Sequence, residues 1–361
     1  MLLLGQVYKS IFLMKKVFIH IGTHKTGTTA FQNTLMKCAP ELVENDGLLP
    51  VWMGKFPEYK NLASACTYNP DLTANLYRFI SDKTKNGSCF IISAEGLSGI
   101  SSNEIYSNTD VVARTLKEAT KNLDPKIIVI FRRQDELIQS LFTQKKHQGD
   151  PVSMTTFCAS IDLNHLNWNN FLVPWIECFG DNNVHVLPYD RAVFSRYSIV
   201  GLLNTVIKST VLDKLENNDV INKNVGYSPA AINIADNLNP KLTLSQRKTL
   251  RRVLQKVGNK GVLEEYNILP RDEKQRLVDH FYESNAELAT KYFLKPFGMS
   301  NFSEPLFVQN NHDTAEEVLK SALVELINNL EIEQHKTKHF PISFIMRISI
   351  RMRGFINTLR P

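Results

Sequence analysis

The sequence predicts an α/β protein: a doubly wound parallel sheet flanked by helices, followed by a helical C-terminal region. Short apolar runs at 17–21, 88–94, 126–131 and 183–188 stand between segments with helical patterns. Runs that stay apolar throughout are typical of parallel strands, which are buried on both faces. With 361 residues, of which 43% are hydrophobic, the chain can bury a substantial core.

The chain is predicted to have three parts. These are an N-terminal extension over 1–13, one α/β domain over 14–300, and a C-terminal helical region with a basic tail over 301–361. Two long polar connections, 40–87 and 145–182, separate the predicted strands. Because loops at the edge of such sheets usually carry function, we expect substrate recognition there.

The first apolar run leads into a loop bracketed by Gly22 and Gly27, and an amphipathic helical pattern follows. A strand, a tight loop and a helix start bring backbone N–H groups and the helix dipole together at one point, where they attract an anion. Thr28 and Thr29 suit the first helical turn, where their hydroxyls add donors. The segment is therefore predicted to bind phosphate.

This loop differs from the nucleoside triphosphate motif. That motif places a lysine directly after the second glycine, beside a magnesium-binding hydroxyl. Here the spacing from Gly22 to Gly27 is kept, but Thr28 occupies the lysine position and the lysine is Lys25. A lysine at the crown of the loop is placed to lie over the far end of a 5′-phosphate group. A kinase of the P-loop type remains an alternative, ranked lower.

The run 126–131 ends in Arg132, followed by a helical pattern that contains Ser140. A magnesium-dependent P-loop enzyme needs an acidic residue at such a strand end. An arginine there indicates a ligand that brings its own negative charge, with no metal ion between. Ser140 lies eight residues after Arg132, about two helical turns away. Arg133 is predicted to be either a surface residue or a partner of Asp135.

The run 88–94 is followed by Glu95. A carboxylate at the end of a central parallel strand faces the crevice in which open α/β sheets bind ligands. Glu95 is either a chemical group of the site or a residue that stabilises the loop. Three histidines compete as bases: His20 is expected to be buried in its strand, His24 belongs to the loop, and His147 lies at a cleft or on a solvated face.

Three of these segments resemble the sulfotransferases that use 3′-phosphoadenosine 5′-phosphosulfate. The series Lys25, Thr26, Gly27, Thr28, Thr29 resembles their 5′-phosphosulfate loop. The interval from Arg132 to Ser140 is similar to their 3′-phosphate site. The segment around Glu95 resembles heparan-type and bacterial carbohydrate sulfotransferases, in which a glutamate after the second predicted strand is the catalytic base.

The resemblance implies a P-loop-like fold and metal-free, in-line transfer of a sulfuryl group to a hydroxyl or amine of a carbohydrate or glycolipid acceptor. It implies that Glu95 is the base and that Lys25 neutralises charge on the leaving oxygen. It assigns donor binding to a set of seven residues: Lys25, Thr26, Gly27, Thr28, Thr29, Arg132 and Ser140. The alternative from another class is a non-catalytic nucleotide-binding module.

Cysteine usage and the N-terminal pattern favour a cytoplasmic enzyme. The five cysteines are scattered without a CxxC pair, as expected in a reducing compartment. No histidine lies in a spacing typical of a zinc site. The apolar stretches 2–4 and 11–13 are separated by Gln6 and Lys9, and no cleavage signal follows, so neither a signal peptide nor an anchor is predicted.

The positive charge is concentrated at the C-terminus. The segment 334–361 holds six Lys or Arg and no Asp or Glu, which accounts for the whole net charge of +6. Apolar residues from Ile345 to Leu359 recur at helical spacing. This pattern fits a helix on an anionic membrane surface and fits equally a tail docked on the body of the protein. No basic–aromatic array indicates a nucleic-acid partner.

Overall fold

The computed structural model describes residues 14–85, 89–100, 104–215, 227, 229–257 and 268–299. The predicted N-terminal extension over 1–13 and the predicted helical region with its basic tail over 301–361 lie outside the described residues. The division of the chain at those two points, and the membrane contact of the tail, therefore stay predictions.

A five-stranded, all-parallel sheet confirms the predicted fold class. In chain order its strands are β1 Lys15–His20, β2 Leu48–Val51, β3 Cys89–Ser93, β4 Leu123–Arg132 and β5 Val184–Tyr189. Across the sheet they follow the order β2-β3-β1-β4-β5, with every neighbouring pair parallel. The central strand β1 thus lies between β3 and β4. Each of β1, β3, β4 and β5 overlaps one of the four predicted apolar runs.

The edge strand β2 was not predicted, because the segment 40–87 reads as a polar connection. In the structure this segment contains three helices as well as β2. β2 has only four residues, one of which is Pro50, and it pairs with β3 alone. Proline lacks the N–H that a ladder needs and is confined to edge strands, so the sequence gives a weak strand signal at this position.

Helices account for most of the remaining described residues. Their bounds are α1 Thr28–Lys37, α2 Ala39–Asp46, α3 Tyr59–Ser64, α4 Pro70–Lys83, α5 Thr109–Ala119, α6 Gln134–Gln148, α7 Met154–Ala159, α8 Trp168–Phe179, α9 Arg191–Phe194, α10 Ile199–Ile207, α11 Thr210–Leu215, α12 Pro229–Leu238, α13 Leu244–Val257, α14 Arg271–Tyr292 and α15 Leu294–Phe297. Short 3₁₀ turns lie at Met53–Lys55, Glu95–Ser98, Leu163–Leu166, Asp181–Asn183 and Asn239–Lys241.

The chain forms two compact units. The described residues of the first unit lie within 14–137, 158–215 and 272–299, and this unit contains the sheet. On one face of the sheet, side chains such as Phe18 and Ile128 pack with Phe31 of α1 in a continuous apolar core. On the other face Phe131 stacks on Trp168 of α8, with ring centroids 4.6 Å apart. Because side chains alternate along a strand, one apolar run supplies both layers.

The described residues of the second unit are 138–157, 227, 229–257 and 268–271. Within it the C-terminal part of α6 carries Lys146, which is 2% exposed and forms an ion pair with Asp236 of α12 at 3.0 Å. The side chain of Gln139 accepts a hydrogen bond from the backbone N–H of Ile268 at 2.8 Å. Polar contacts from α6 therefore fix two other segments of this unit.

We expect Phe131→Ala to destabilise the protein by about 3–5 kcal/mol, because it leaves a cavity between the sheet and α8. Phe131 is fully buried and contacts both Trp168 and Phe171. Urea unfolding measures the effect. Phe131→Leu fills more of the cavity and is the control; an equal loss for both variants would show that packing volume is not the cause.

Candidate functional site

The loop between β1 and α1 lies at the carboxyl edge of the sheet. The chain leaves β1 toward one side of the sheet and later crosses to form β4 on the other side. In open α/β sheets this reversal of strand order marks the ligand-binding crevice. Gly22, Lys25 and Gly27 adopt positive φ angles of 51°, 68° and 84°. Three left-handed residues in so short a loop turn it sharply into the helix.

The two glycines are required by close approaches as well as by their backbone angles. A Cβ atom on Gly22 would lie 2.8 Å from Oγ1 of Thr28. A Cβ on Gly27 would lie 3.2 Å from Cγ1 of Ile199. The spacing of the two glycines therefore reflects the compact packing of the loop against the start of α1 and against α10.

Lys25 is held in its left-handed conformation from both sides. Its backbone N–H donates to Oε1 of Glu95 at 2.8 Å, and its carbonyl oxygen accepts from Nη1 of Arg132 at 3.3 Å. Non-glycine residues in this region of φ are strained and cluster at functional sites. The structure thus brings together Lys25, Glu95 and Arg132, which the sequence placed at three different strand ends.

The start of α1 presents hydrogen-bond donors. Among the described residues, no acceptor bonds the backbone N–H groups of Gly27, Thr28 and Thr29. The hydroxyl of Thr28, 3% exposed, also lacks a partner there, whereas Thr29 is exposed. The Thr26 hydroxyl instead donates to the carbonyl of Thr23 at 2.6 Å and stabilises the loop. Unsatisfied N–H groups at a helix N-terminus are suited to an anion.

Arg132 is 5% exposed and has several contacts within the protein. Its Nε donates to Glu136 at 3.3 Å, and its guanidinium lies 4.9 Å from the ring centroid of Tyr189. The ring contact follows from the sheet, because Arg132 and Tyr189 are register partners on β4 and β5. The indole N–H of Trp168 donates to the carbonyl of Arg132 at 3.0 Å.

Arg133 is a partner of Asp135, which confirms one of the two predictions for this residue. The other prediction, that Arg133 lies on the surface, was wrong. Arg133 is 6% exposed and donates to the two oxygens of Asp135 at 2.6 and 3.0 Å. Lys274 of α14 lies 3.9 Å from the same carboxylate. A buried carboxylate needs such partners, so this cluster is structural.

Ser140 is half-buried on α6 and belongs to the second compact unit. The structure therefore confirms that Ser140 lies on the helix that follows Arg132. Its part in a 3′-phosphate site stays a prediction.

Glu95 opens a 3₁₀ turn directly after β3 and is half-buried. Its Oε1 accepts the backbone N–H of Lys25, whereas among the described residues its Oε2 has no hydrogen-bond partner. The next peptide N–H, that of Gly96, donates to the hydroxyl of Tyr59 at 2.9 Å. Glu95 thus has the loop-stabilising contact that one interpretation predicted, and it keeps an oxygen with which to act as a base.

The histidines differ in their surroundings. His20 is fully buried, with Nδ1 2.9 Å from the hydroxyl of Ser93, as the prediction of a buried strand histidine requires. His24 is 9% exposed, and its Nδ1 lies 3.2 Å from the Tyr106 hydroxyl. In the second unit, His147 is half-buried, with its ring 4.0 Å from that of Tyr227.

The site contains two tyrosines: Tyr106 was missed by sequence analysis, whereas Tyr59 lies in the connection 40–87, in which acceptor contacts were expected. Tyr106 contacts the loop from 82 residues away and Tyr59 contacts Gly96 from 37 residues away. Neither follows an apolar strand or falls in a recognisable spacing, so no sequence signal marks them. Only the packing of α3 and of the segment before α5 brings them to the site.

Burial lowers the pKa of His20 from 6.5 to about 3. The folded protein keeps this imidazole neutral, while the unfolded chain binds a proton below pH 6.5. The free energy of unfolding therefore does not change through His20 above pH 6.5. As the pH falls from 6.5 toward 3, it decreases by about 1.4 kcal/mol per pH unit. We expect urea unfolding of His20→Gln to show a shallower acid dependence than the wild type.

The exposed His280 provides the matched control for this measurement. His280→Gln is expected to keep the wild-type acid dependence. If His20→Gln and His280→Gln give the same curve, His20 is not the source of the acid sensitivity.

Two properties of the described residues are relevant to the class of protein. None of their helices combines the length and the apolar content needed to cross a membrane. Within the same residues, no group of three or more His, Cys, Asp or Glu side chains is arranged to hold a metal ion.

No family model and no curated protein matches the chain. A solved structure, that of a sulfotransferase from Alicyclobacillus acidocaldarius, is similar over 76% of this chain and 94% of its own, with 12% identity and a TM-score of 0.36. A likeness of this degree is too weak to say anything of activity.

Proposed function

We propose that the protein is a sulfotransferase that moves a sulfuryl group from 3′-phosphoadenosine 5′-phosphosulfate to a carbohydrate-type acceptor. One observation carries the proposal. At the start of α1, three consecutive N–H groups and the buried Thr28 hydroxyl lie in the loop that contains Lys25, and the described part of the chain offers them no acceptor. These donors fit the 5′-phosphate of a nucleotide.

The positive groups around this loop favour a donor with its own negative charges over a metal-bound triphosphate. Arg132, at the end of β4, bonds the loop where magnesium-dependent P-loop enzymes have an acidic residue. Thr28, not lysine, follows the second glycine. A kinase therefore remains the less supported candidate. A nucleotide-binding module without activity would need the same phosphate-binding residues, and it would differ from the proposed enzyme only in not needing a base.

In the proposed reaction the acceptor oxygen attacks the sulfur in line with the leaving 5′-phosphate oxygen. The acceptor O–H bond breaks and its proton passes to Glu95, a new O–S bond forms, and the S–O bond to the phosphate breaks. Lys25 stabilises the negative charge on the leaving oxygen, and the N–H groups of the loop hold the phosphate. Thr26 shapes the loop through its contact with Thr23.

Arg132 and Ser140 are proposed to bind the 3′-phosphate of the donor. Arg132 lies at the end of β4 beside the loop, and a guanidinium group has the charge and the planar array of donors that suit a phosphate. The acceptor is proposed to be a carbohydrate or a glycolipid, in line with the resemblance around Glu95. The enzyme is proposed to work in the cytoplasm, with its basic tail able to contact an anionic membrane surface.

Calorimetry with the product nucleotide, 3′-phosphoadenosine 5′-phosphate, tests the proposal. We expect binding that is unchanged by EDTA, and no comparable binding of ADP, which lacks the 3′-phosphate. Binding of ATP that depends on magnesium would favour the kinase instead.

Transfer of ³⁵S from the labelled donor to cell-envelope glycans separates an enzyme from a binding module. Mass spectrometry of these glycans from cells with and without the gene then identifies the acceptor, as a sugar that loses one sulfate. Tight nucleotide binding with no labelled product, and no change in the glycans, would favour the module.

A further inference from the structure

The contact between His24 and Tyr106 adds a residue to the proposed reaction. Tyr106 is 3% exposed and lies in an aromatic cluster. Its ring centroid is 5.3 Å from that of Phe171 and 5.9 Å from that of Trp168. Its φ angle of 62° is rare for a bulky residue. The structure therefore holds this phenol in a fixed and strained position beside the loop.

The Tyr106 hydroxyl meets two atoms of His24 and the hydroxyl of Thr23, whose own proton goes to the carbonyl of Ile130 at 2.7 Å. The Tyr106 oxygen accepts the backbone N–H of His24 at 2.9 Å and lies 3.2 Å from Nδ1 of the same residue. A phenol has one proton to donate. Because the backbone N–H occupies a lone pair of the oxygen, the phenol proton goes either to Nδ1 or to the Thr23 hydroxyl oxygen. When it goes to Nδ1, the imidazole carries its own proton on Nε2.

Burial of His24 favours the neutral form of its imidazole. Burial lowers its pKa; the nearby carboxylate of Glu95 opposes this shift and the ammonium group of Lys25 adds to it. His24 lies close to the proposed base and to the proposed charge-neutralising residue, because Lys25 is the next residue and its backbone N–H donates to Glu95 at 2.8 Å. Among the described residues no partner bonds Nε2.

We propose that Tyr106 fixes the Nε2–H tautomer of His24 and that His24 donates this proton in a hydrogen bond to an oxygen of the transferring sulfuryl group. The inference rests on the proposed function. The loop N–H groups after Lys25 hold the 5′-phosphate, and Glu95 approaches from the acceptor side. His24 precedes Lys25 in the loop, and Glu95 accepts the backbone N–H of Lys25, so the imidazole is near both of these groups. Tyr106 is a positioning residue and His24 a catalytic one.

The tautomer is tested in the protein without ligand. Long-range ¹H–¹⁵N correlation spectra of protein labelled at histidine are expected to show that His24 is a neutral imidazole protonated at Nε2. The His24 signals are assigned as those that are missing from the spectrum of His24→Gln. In Tyr106→Phe we expect a mixture of both tautomers. A His24 protonated at Nδ1 in the wild type, with the phenol proton turned toward Thr23, would overturn the inference.

The contact with the sulfuryl group is tested by comparing the intact donor with the product nucleotide in calorimetry. His24→Ala is expected to weaken donor binding about 10- to 100-fold and to leave product binding unchanged. The amide nitrogen of glutamine lies near the place of Nε2 and that of asparagine near Nδ1. We therefore expect His24→Gln to restore donor binding and His24→Asn not to do so.

The two proposals fail in different ways. If neither nucleotide binds the wild type, the proposed function is wrong. If both nucleotides bind and His24→Ala weakens both equally or neither, or if asparagine restores binding and glutamine does not, the role of His24 is wrong while the proposed function stands.

Discussion

Glu95→Gln is expected to lower the rate of sulfuryl transfer by a factor of about 10²–10⁴, the usual contribution of a general base. Glutamine keeps an oxygen that accepts the N–H of Lys25, now bonded at 2.8 Å, so the loop keeps its shape. It cannot take a proton at the working pH. Calorimetry should therefore show unchanged binding of 3′-phosphoadenosine 5′-phosphate, while ³⁵S transfer from the donor to glycan falls.

Glu95→Ala provides the contrast, because it removes both the base and the acceptor for Lys25. We expect it to weaken nucleotide binding as well as the rate. If Glu95→Gln transfers sulfate normally and only Glu95→Ala is defective, Glu95 stabilises the loop and the base must be another residue.

Arg132→Ala is expected to weaken nucleotide binding by about 2–5 kcal/mol, at least about 30-fold in Kd. The substitution removes the proposed partner of the 3′-phosphate and the hydrogen bond to the carbonyl of Lys25. Calorimetry with the product nucleotide measures the change. The fold should survive, because Glu136 keeps a contact of 3.5 Å with Arg133.

Two further variants sharpen this experiment. Arg132→Lys keeps the charge but loses the planar array of donors, so we expect an intermediate affinity. Arg114→Ala removes an exposed arginine from α5 and is expected to leave binding unchanged. Equal losses for Arg114→Ala and Arg132→Ala would mean that overall charge, not a specific site, attracts the nucleotide.

The sequence predicted the fold class and four strands because buried parallel strands are continuous apolar runs. β1 and β4 both read this way, and since they are neighbours in the sheet, Lys25 and Arg132 meet although 107 residues separate them. The short edge strand β2 lacks this signal, because it has four residues and contains Pro50.

The site was predicted where residues follow strands and was missed where they do not. Glu95, at the end of β3, was found through its position, and the structure adds its bond to Lys25. Tyr106 was missed because its contact with His24 depends on how the segment before α5 packs on the aromatic cluster. Contacts of this kind depend on the tertiary structure, which no local pattern encodes.

The bond from Trp168 to Arg132 supplies the molecule with an optical reporter. The indole N–H donates to the carbonyl of Arg132 at 3.0 Å, and the indole is stacked on Phe131. Indole emission responds to nearby electric fields, and an anion at Arg132 changes the field at this ring. Nucleotide titrations can thus be followed by intrinsic fluorescence without a label, with Trp168→Phe identifying the chromophore among the three tryptophans.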